Sequence, residues 1–335
     1  AKGWAPHPHQ LEMLAAARAG RSALLIAPTG GGKTLAGFLA SLVDLAETPR
    51  DGLHTLYVSP LKALAVDIHR NLTVPIKEMG LAVTAETRTG DTPQGKRQRQ
   101  RQRPPNLLLT TPESLALLIS YPDAQQVFES LRCIVIDELH ALAGTKRGEL
   151  LALGLARLAR LAPQARRVGL SATVAYPAAL EAFLARSGQA ASGDVAVLRG
   201  GEAARAEVRI LMPDGRLPWS GHMGLHAVER IYAAIKAHRT TIVFVNTRAQ
   251  SELIFQALWH ANEDHLPIAL HHGSLAAEQR RKVEAMMSRG ALRAVVATSS
   301  LDLGIDWAAV DLVIQVGAPK GASRLLQRIG RANHR

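Results

Sequence analysis

Two short stretches hold residue types whose order and spacing could do chemistry. The first, APTGGGKT at 27–34, follows the apolar run SALLIA and opens a helical pattern. Residues without a Cβ tolerate the tight turn that points successive amides to one side, so Gly30, Gly31 and Gly32, with Thr29 leading into them, can turn backbone N–H groups onto phosphate oxygens. Lys33 can reach the β- and γ-phosphates of a nucleotide, the Thr34 hydroxyl can ligate Mg²⁺, and the helix N-terminus adds a favourable dipole. The strict pattern begins with glycine, and Ala27 stands in that place. The second stretch, IVIDELH at 134–140, is an apolar strand ending in two carboxylates. Carboxylates at the C-terminal end of a strand meet ligands in the crevice of an open α/β sheet. Asp137 is expected to hold Mg²⁺, directly or through water, and Glu138 to orient and deprotonate an attacking water. Acidic residues also favour helix N-termini, so this pair gains its weight from the phosphate loop beside it. A third stretch, GLSAT at 169–173, sets Ser171 and Thr173 where they can hydrogen-bond the carboxylate loop. The chain closes on QRIGRANHR, a cluster of three arginines and a histidine.

These residues need a scaffold, and the rest of the chain supplies its signals. SALLIA, HTLYVS, NLLLTT, CIVIDE and RRVGLSAT read as buried strands, with amphipathic helices between them such as 35–46 and 112–120. Near-continuous apolar strands alternating with helices imply a parallel sheet covered on both faces. The rhythm breaks in the Gly-, Ala- and Pro-rich stretch 188–218, then resumes with TIVFVNT, PIALHHG, RAVVATSS and VDLVIQVG. Two α/β domains are expected, over 1–205 and 206–335. The run GKRQRQRQRPP at 95–105 leaves two readings open, a solvated helix end or loop and a phosphate-facing patch, and its prolines end any helix.

Composition narrows the partner. Lys and Arg number 40 against 28 Asp and Glu, a net +12 over 335 residues, which points to a polyanion, nucleic acid first. Aromatics are only 4%, which argues against a platform that stacks on bases and for contact through the backbone. The single cysteine, Cys133, allows no internal disulfide, fits a reducing compartment and reads as a core residue. No signal peptide or membrane span is evident. His271 and His272 lack cysteine or carboxylate partners at ligand spacing, so zinc is not expected.

Taken in order, APTGGGKT, DELH, SAT, ATSSLDLGIDW and QRIGRANHR resemble the superfamily 2 DEXH-box helicases. SPLKAL, RTGDT, TTPESL and LHHGSL narrow the resemblance to the large helicase-related (Lhr) family, and RLPWSGH with RIGRANHR to its ligase-associated DNA-repair branch. The resemblance covers essentially the whole chain. It implies two tandem RecA-like domains with ATP in the cleft between them. It assigns Gln10 to adenine, Lys33 and Thr34 to phosphate and Mg²⁺, Asp137 to the metal and Glu138 to water. Gly304 and Asp306 match the loop that approaches the ribose. Pro60, Lys62, Thr111 and Pro112 match positions that grip a nucleic-acid backbone in the first domain. Asn246, Thr247, Arg248, His272, Gly273, Thr298 and Ser299 match them in the second. Closing the cleft is expected to bring Arg331, with Gln327, Arg328 and His334, onto the γ-phosphate. The family commonly has glycine where Asn333 stands and often arginine where His334 stands, and a neutral imidazole offers one donor, not a guanidinium fork.

The implied activity is an ATP-driven 3′-to-5′ translocase on single-stranded DNA that separates DNA:DNA or RNA:DNA duplexes. The implied setting is the bacterial cytoplasm at the nucleoid, as a monomer, beside a DNA ligase and a nuclease. Lhr-like enzymes continue past the last motif into further domains, so the sequence reads as a helicase-core fragment. An ATP-gated nucleic-acid binder that hydrolyses ATP without unwinding is therefore an alternative, and an NTPase acting on a small molecule or protein a third.

Overall fold

The structure is a computed structural model that describes residues 5–28, 31–172, 177–185, 195–201, 207–212, 223–301, 310–319, 322–330 and 332. The chain divides into two compact units, residues 1–202 and 203–335.

Unit 1 begins with α1 (Pro8–Arg18), β1 (Ser22–Ile26), α2 (Lys33–Glu47), β2 (Thr55–Val58), α3 (Lys62–Glu78), β3 (Ala85–Arg88) and α4 (Gln94–Gln102). It continues with β4 (Leu107–Thr110), α5 (Pro112–Ser120), α6 (Ala124–Phe128), β5 (Cys133–Ile136), α7 (Leu139–Leu142), α8 (Lys146–Leu161), β6 (Arg166–Ser171), α9 (Pro177–Leu184) and β7 (Val195–Arg199). The seven strands form one parallel sheet in the order β3-β4-β2-β5-β6-β1-β7. Side chains alternate across a strand, so each strand feeds both layers. Leu24, Leu56, Leu108 and Ile134 enter the core under α5, α6, α8 and α9, whereas Leu25, Tyr57, Leu109 and Val135 enter the core under α1, α2 and α3. Crossovers running one way along the sheet put their helices on one face and those running back put them on the other, because each is right-handed. Cys133 is fully buried in the second layer.

All five strands expected in this half are present. Two more were not legible. β3 reads AETR and lies at the sheet edge, half-buried, where polar side chains are tolerated. β7 reads VAVLR and sits inside the stretch where the rhythm breaks; it pairs with β1 and forms the other edge.

Unit 2 holds α10 (Val228–Ala237), β8 (Thr241–Phe244), α11 (Arg248–His260), β9 (Ile268–His271), α12 (Ala277–Ser288), β10 (Ala294–Ala297), β11 (Leu312–Gln315) and α13 (Ala322–Ile329). Its four described strands are parallel, in the order β11-β8-β10-β9, and match the four expected from sequence. Val243 and Val296 face α10 and α11 on one side; Ile242, Phe244 and Val295 join Met287 of α12 on the other.

Candidate nucleotide and nucleic-acid sites

The loop after β1 is braced from below by α1. His9 Nε2 lies 2.8 Å from Gly31 O, and Gln10 Nε2 donates to Gly32 O at 3.2 Å while its Oε1 accepts from His7 N at 2.9 Å. Gln10, expected at adenine, is thus buried against the phosphate loop. Gly32 has φ +70°, and a Cβ there would fall 2.6 Å from Gln10 Nε2, so only glycine fits. Lys33 Nζ donates to Ala27 O and Pro28 O, both at 2.9 Å, which holds the ammonium against the loop's own backbone. Thr34 is the second residue of α2. Ala27 is accommodated because Gly200, just past β7, leaves room: a Cβ on Gly200 would come within 2.4 Å of Ala27 Cβ.

The carboxylate loop leaves β5, with β6 between it and β1. Asp137 is buried; its Oδ2 accepts from Tyr57 Oη at 2.5 Å and its Oδ1 from Glu138 N at 2.8 Å. Burial first, then the neighbouring Glu138 charge, raise the Asp137 carboxyl to about 6. Burial and the same carboxylate push Tyr57 well above its ordinary value, so its hydroxyl stays a donor. Glu138 caps α7 in the left-handed region (φ 47°) and its Oε2 is buried without a hydrogen bond, 3.5 Å from His140 Nε2. Burial, aided by Lys33, lowers His140 to about 4, which keeps the imidazole neutral. His140 Nδ1 lies 3.1 Å from Ser171 Oγ, which ties the carboxylate loop to the end of β6. An orphaned carboxylate oxygen beside a carboxyl driven toward protonation fits a hard divalent cation with oxygen ligands.

The other half of the same sheet end carries a different set of loops. Those after β2, β3 and β4 hold Pro60 and Lys62, Thr89–Asp91, and Thr111 and Pro112. Lys62 Nζ donates to Asp91 Oδ1 at 2.8 Å, and Thr111 is the buried N-cap of α5. Arg147, at the start of α8, joins the two halves. Its guanidinium pairs with Glu113 Oε1 at 2.5 Å and Oε2 at 3.0 Å, and its Nη1 donates to Pro60 O at 2.6 Å. Neither Arg147 nor Tyr57 stood out in the sequence. A tyrosine inside an otherwise aliphatic strand was the available signal, because a buried hydroxyl needs a partner; Arg147 gave none.

In unit 2 the expected grip residues also leave C-terminal strand ends. Asn246 Nδ2 donates to Ala318 O at 2.8 Å, and Thr247 caps α11 by accepting from Gln250 N at 3.1 Å. Arg248 is exposed at the first turn of that helix, and Gly273 and Ser299 are exposed after β9 and β10. Thr298 and His272 are buried, and His272 Nε2 lies 3.3 Å from Glu252 Oε1 without a hydrogen bond. His271 is held by Ser300 at 2.8 Å and Glu284 at 3.1 Å. Arg328, expected at the γ-phosphate, points into its own unit: it is 1% exposed, donates to Gln315 Oε1, and its guanidinium lies 4.5 Å from the Phe244 ring centroid. Thr29, Gly30, Thr173, Gly304, Asp306, Arg331, His334 and the Gln327 side chain lie outside the described residues.

Residues 7–181 match the family model described as DEAD/DEAH box helicase, and residues 225–335 the helicase conserved C-terminal domain. The chain belongs to the DEAD/DEAH box helicase family. The chain is 40% identical over 376 residues to the "Lhr helicase/ probable uracil glycosylase" of Mycolicibacterium smegmatis, covering 98% of this chain and 25% of that protein. It is 36% identical over 333 residues to the "ATP-dependent helicase Lhr-Core" of Methanocaldococcus jannaschii, covering 94% of this chain and 39% of that one. Among solved structures, Mycobacterium smegmatis helicase Lhr bound to ssDNA and AMP-PNP matches with a TM-score of 0.84 and 43% identity, over 98% of this chain and 44% of that chain. The two parallel units are therefore RecA-like, as the resemblance implied, and the chain spans a quarter to under half the length of these relatives. Among the described residues, no helix is long and apolar enough to cross a membrane.

Proposed function

We propose that this chain is the motor core of an Lhr-type DNA helicase, driving 3′-to-5′ movement on single-stranded DNA at the cost of ATP and opening DNA:DNA or RNA:DNA duplexes during repair. The observation that carries the reading is the division of one sheet end. Nucleotide-type loops leave β1, β5 and β6, and grip-type loops leave β2, β3 and β4, with Arg147 between them.

In this mechanism the turn at 29–32 wraps the ATP phosphates with backbone N–H groups, and Lys33 moves from its carbonyl partners to the β- and γ-phosphates. Thr34 and Asp137 would hold Mg²⁺, which would supply charge neutralisation to the transferring phosphoryl group. Glu138 takes the proton of the attacking water as its oxygen bonds to the γ-phosphorus, and the bond to the bridging oxygen breaks to leave ADP and phosphate. Tyr57 and His140 hold the two carboxylates in place. Arg331, from unit 2, is assigned to the developing charge on the γ-phosphate, with Gln327 beside it, and Gly304 and Asp306 to the ribose side. Arg328 is assigned to anchoring the helix that carries Gln327 and leads to Arg331. Asn246, Thr247, Arg248, His272, Gly273, Thr298 and Ser299 grip the strand in unit 2, and Pro60, Lys62, Thr111 and Pro112 in unit 1. Net motion follows if ATP changes the two grips unequally, since only differential affinity shifts a conformational equilibrium. A DNA ligase and a nuclease are the proposed partners, with the chain a monomer in the bacterial cytoplasm at the nucleoid.

The share of the relatives' length that the chain covers favours a second reading for these 335 residues. In it they bind ATP and nucleic acid and hydrolyse ATP, but do not separate strands without further domains. The test is ATP hydrolysis by residues 1–335 with and without single-stranded DNA, followed by strand separation. DNA is expected to raise the rate, and Glu138→Gln to abolish turnover while ATP still binds. An unchanged rate with DNA overturns the nucleic-acid reading, and wild-type turnover in Glu138→Gln overturns the assignment of the base. Hydrolysis without strand separation selects the second reading.

A further inference from the structure

The basic run at 95–105, whose role the motor mechanism leaves unassigned, resolves into a helix with two unlike faces. α4 turns Lys96 and Arg99 toward Glu86 of β3, with N–O distances of 3.7 and 2.7 Å, and Gln100 is buried against the same carboxylate at 2.8 Å. Gln94, Arg97, Gln98, Arg101 and Gln102 recur at helical spacing on another face and line a cavity of about 570 Å³. Arg88 and Thr92 form another part of the wall, with Tyr121 and Asp123.

The charges in this cavity are unequal. Arg101 sits 3.9 Å from the Tyr121 ring centroid and spends its guanidinium on Asp123, through Nε at 2.9 and 3.1 Å and Nη2 at 2.7 Å. That pair is neutral. Arg88 and Arg97 remain without a carboxylate partner. Arg88 is 3% exposed; its Nη1 donates to Arg97 O at 2.8 Å and to Gln100 Oε1 at 3.4 Å. Arg97 Nη2 donates to Thr89 O at 3.1 Å and Gly90 O at 2.6 Å, and its Nε is buried with no acceptor. A buried cation with unspent donors is costly unless an anion completes it. Burial first, then the charges of Arg97 and Arg101, lower the Arg88 pKa against the opposing pull of Tyr121 and Asp123, the direction an incoming anion would reverse.

We infer that this cavity is a phosphate-binding subsite that takes a phosphodiester of the nucleic-acid strand beyond the loops the family motifs mark. The inference rests on the nucleic-acid reading above, and the position favours a strand over a free phosphate compound. Arg97 grips the backbone of the loop after β3, the loop whose Asp91 pairs with Lys62, so the cavity continues the row of loops after β2, β3 and β4. Its glutamines add neutral donors that suit a backbone of any sequence.

The test compares two changes of equal charge on the same helix run. Gln98→Glu puts a carboxylate into the cavity from an exposed position, and Arg103→Gln removes a charge from an exposed residue outside the lining. Binding of a single-stranded oligonucleotide is measured against salt. Gln98→Glu is expected to weaken binding at least fivefold more than Arg103→Gln and to make the log–log salt slope shallower by about 0.7, one phosphate contact on a single strand. Equal effects of the two variants overturn the subsite while leaving the helicase reading intact. Absence of oligonucleotide binding by the unaltered chain overturns both. A second arm adds inorganic phosphate or pyrophosphate to the bound complex. If millimolar amounts displace the strand from the unaltered chain and not from Gln98→Glu, a free phosphate compound is the occupant and the strand assignment fails.

Discussion

Asp137 sits among groups that push its proton both ways. Burial and Glu138 hold the proton on; the Tyr57 hydroxyl, the Glu138 amide and Lys33 draw it off, and the balance lies at about 6 against an ordinary 3.8. The folded chain therefore keeps this proton to a higher pH than the unfolded chain. The stability it contributes is present at low pH and is lost as pH rises through about 6. Above that pH the site holds two neighbouring carboxylates, and a cation relieves them. Mg²⁺ with nucleotide should therefore raise the melting temperature more at about pH 7.5 than at about pH 5.5, where proton and metal compete. Thermal melts at the two values check this; an equal gain at both separates Asp137 from the metal. The carboxylate pair was legible in DELH, but the hydroxyl that orients Asp137 was not. Which strands are neighbours decides that contact, and β2 and β5 are neighbours only because residues 55–58 and 133–136 pair.

Arg147 acts at the scale of elements, tying the start of α8 to the loop after β2 and to α5. The exposed ion pair with Glu113 contributes little to stability, about 0.2–1 kcal/mol, and the bond to Pro60 O about 1 kcal/mol. Its weight lies in connection, because α8 follows the carboxylate loop by way of the one-turn α7, and α5 begins in a grip loop. Arg147→Met should cost about 1 kcal/mol in denaturant unfolding and reduce the DNA stimulation of ATP hydrolysis by about fivefold or more, the range of a modest coupling energy. Full stimulation in this variant would show that the two sets of loops communicate by another route. The strand signals were strong wherever three or four apolar residues ran together, as in β1, β2, β4 and β5. They failed at the edges, where Glu86 and Arg88 of β3 turn to α4 and an apolar run is not required.

For the whole molecule, a net charge of +12 with 4% aromatics favours holding a strand by its phosphates. Affinity for single-stranded DNA should then fall linearly on a log–log plot of salt, by about 0.7 for each phosphate neutralised. A flat response would mean that bases, not the backbone, carry the binding. Two α/β units were legible because each half repeats buried strand and helix, and their RecA-like character from the helicase motifs, but the charge alone did not say which arginines pair with carboxylates. The paired ones, Arg99 and Arg101, and the unpaired ones, Arg88 and Arg97, look alike in the string.

β1 has one further consequence, and it concerns synthesis. The strand that leads into the phosphate loop takes both its neighbours from far downstream, with Ala23 opposite Val168 of β6 and Ser22 opposite Val195 of β7. A growing chain therefore makes this strand before either neighbour and holds it with both edges unpaired until most of unit 1 has been made. Such edges invite pairing with other chains. A ribosome that stalls, or a protease that cuts, before Arg199 releases a β1 that lacks a neighbour on at least one side. The nucleotide loop is thus translated well before the two strands that frame the one leading into it.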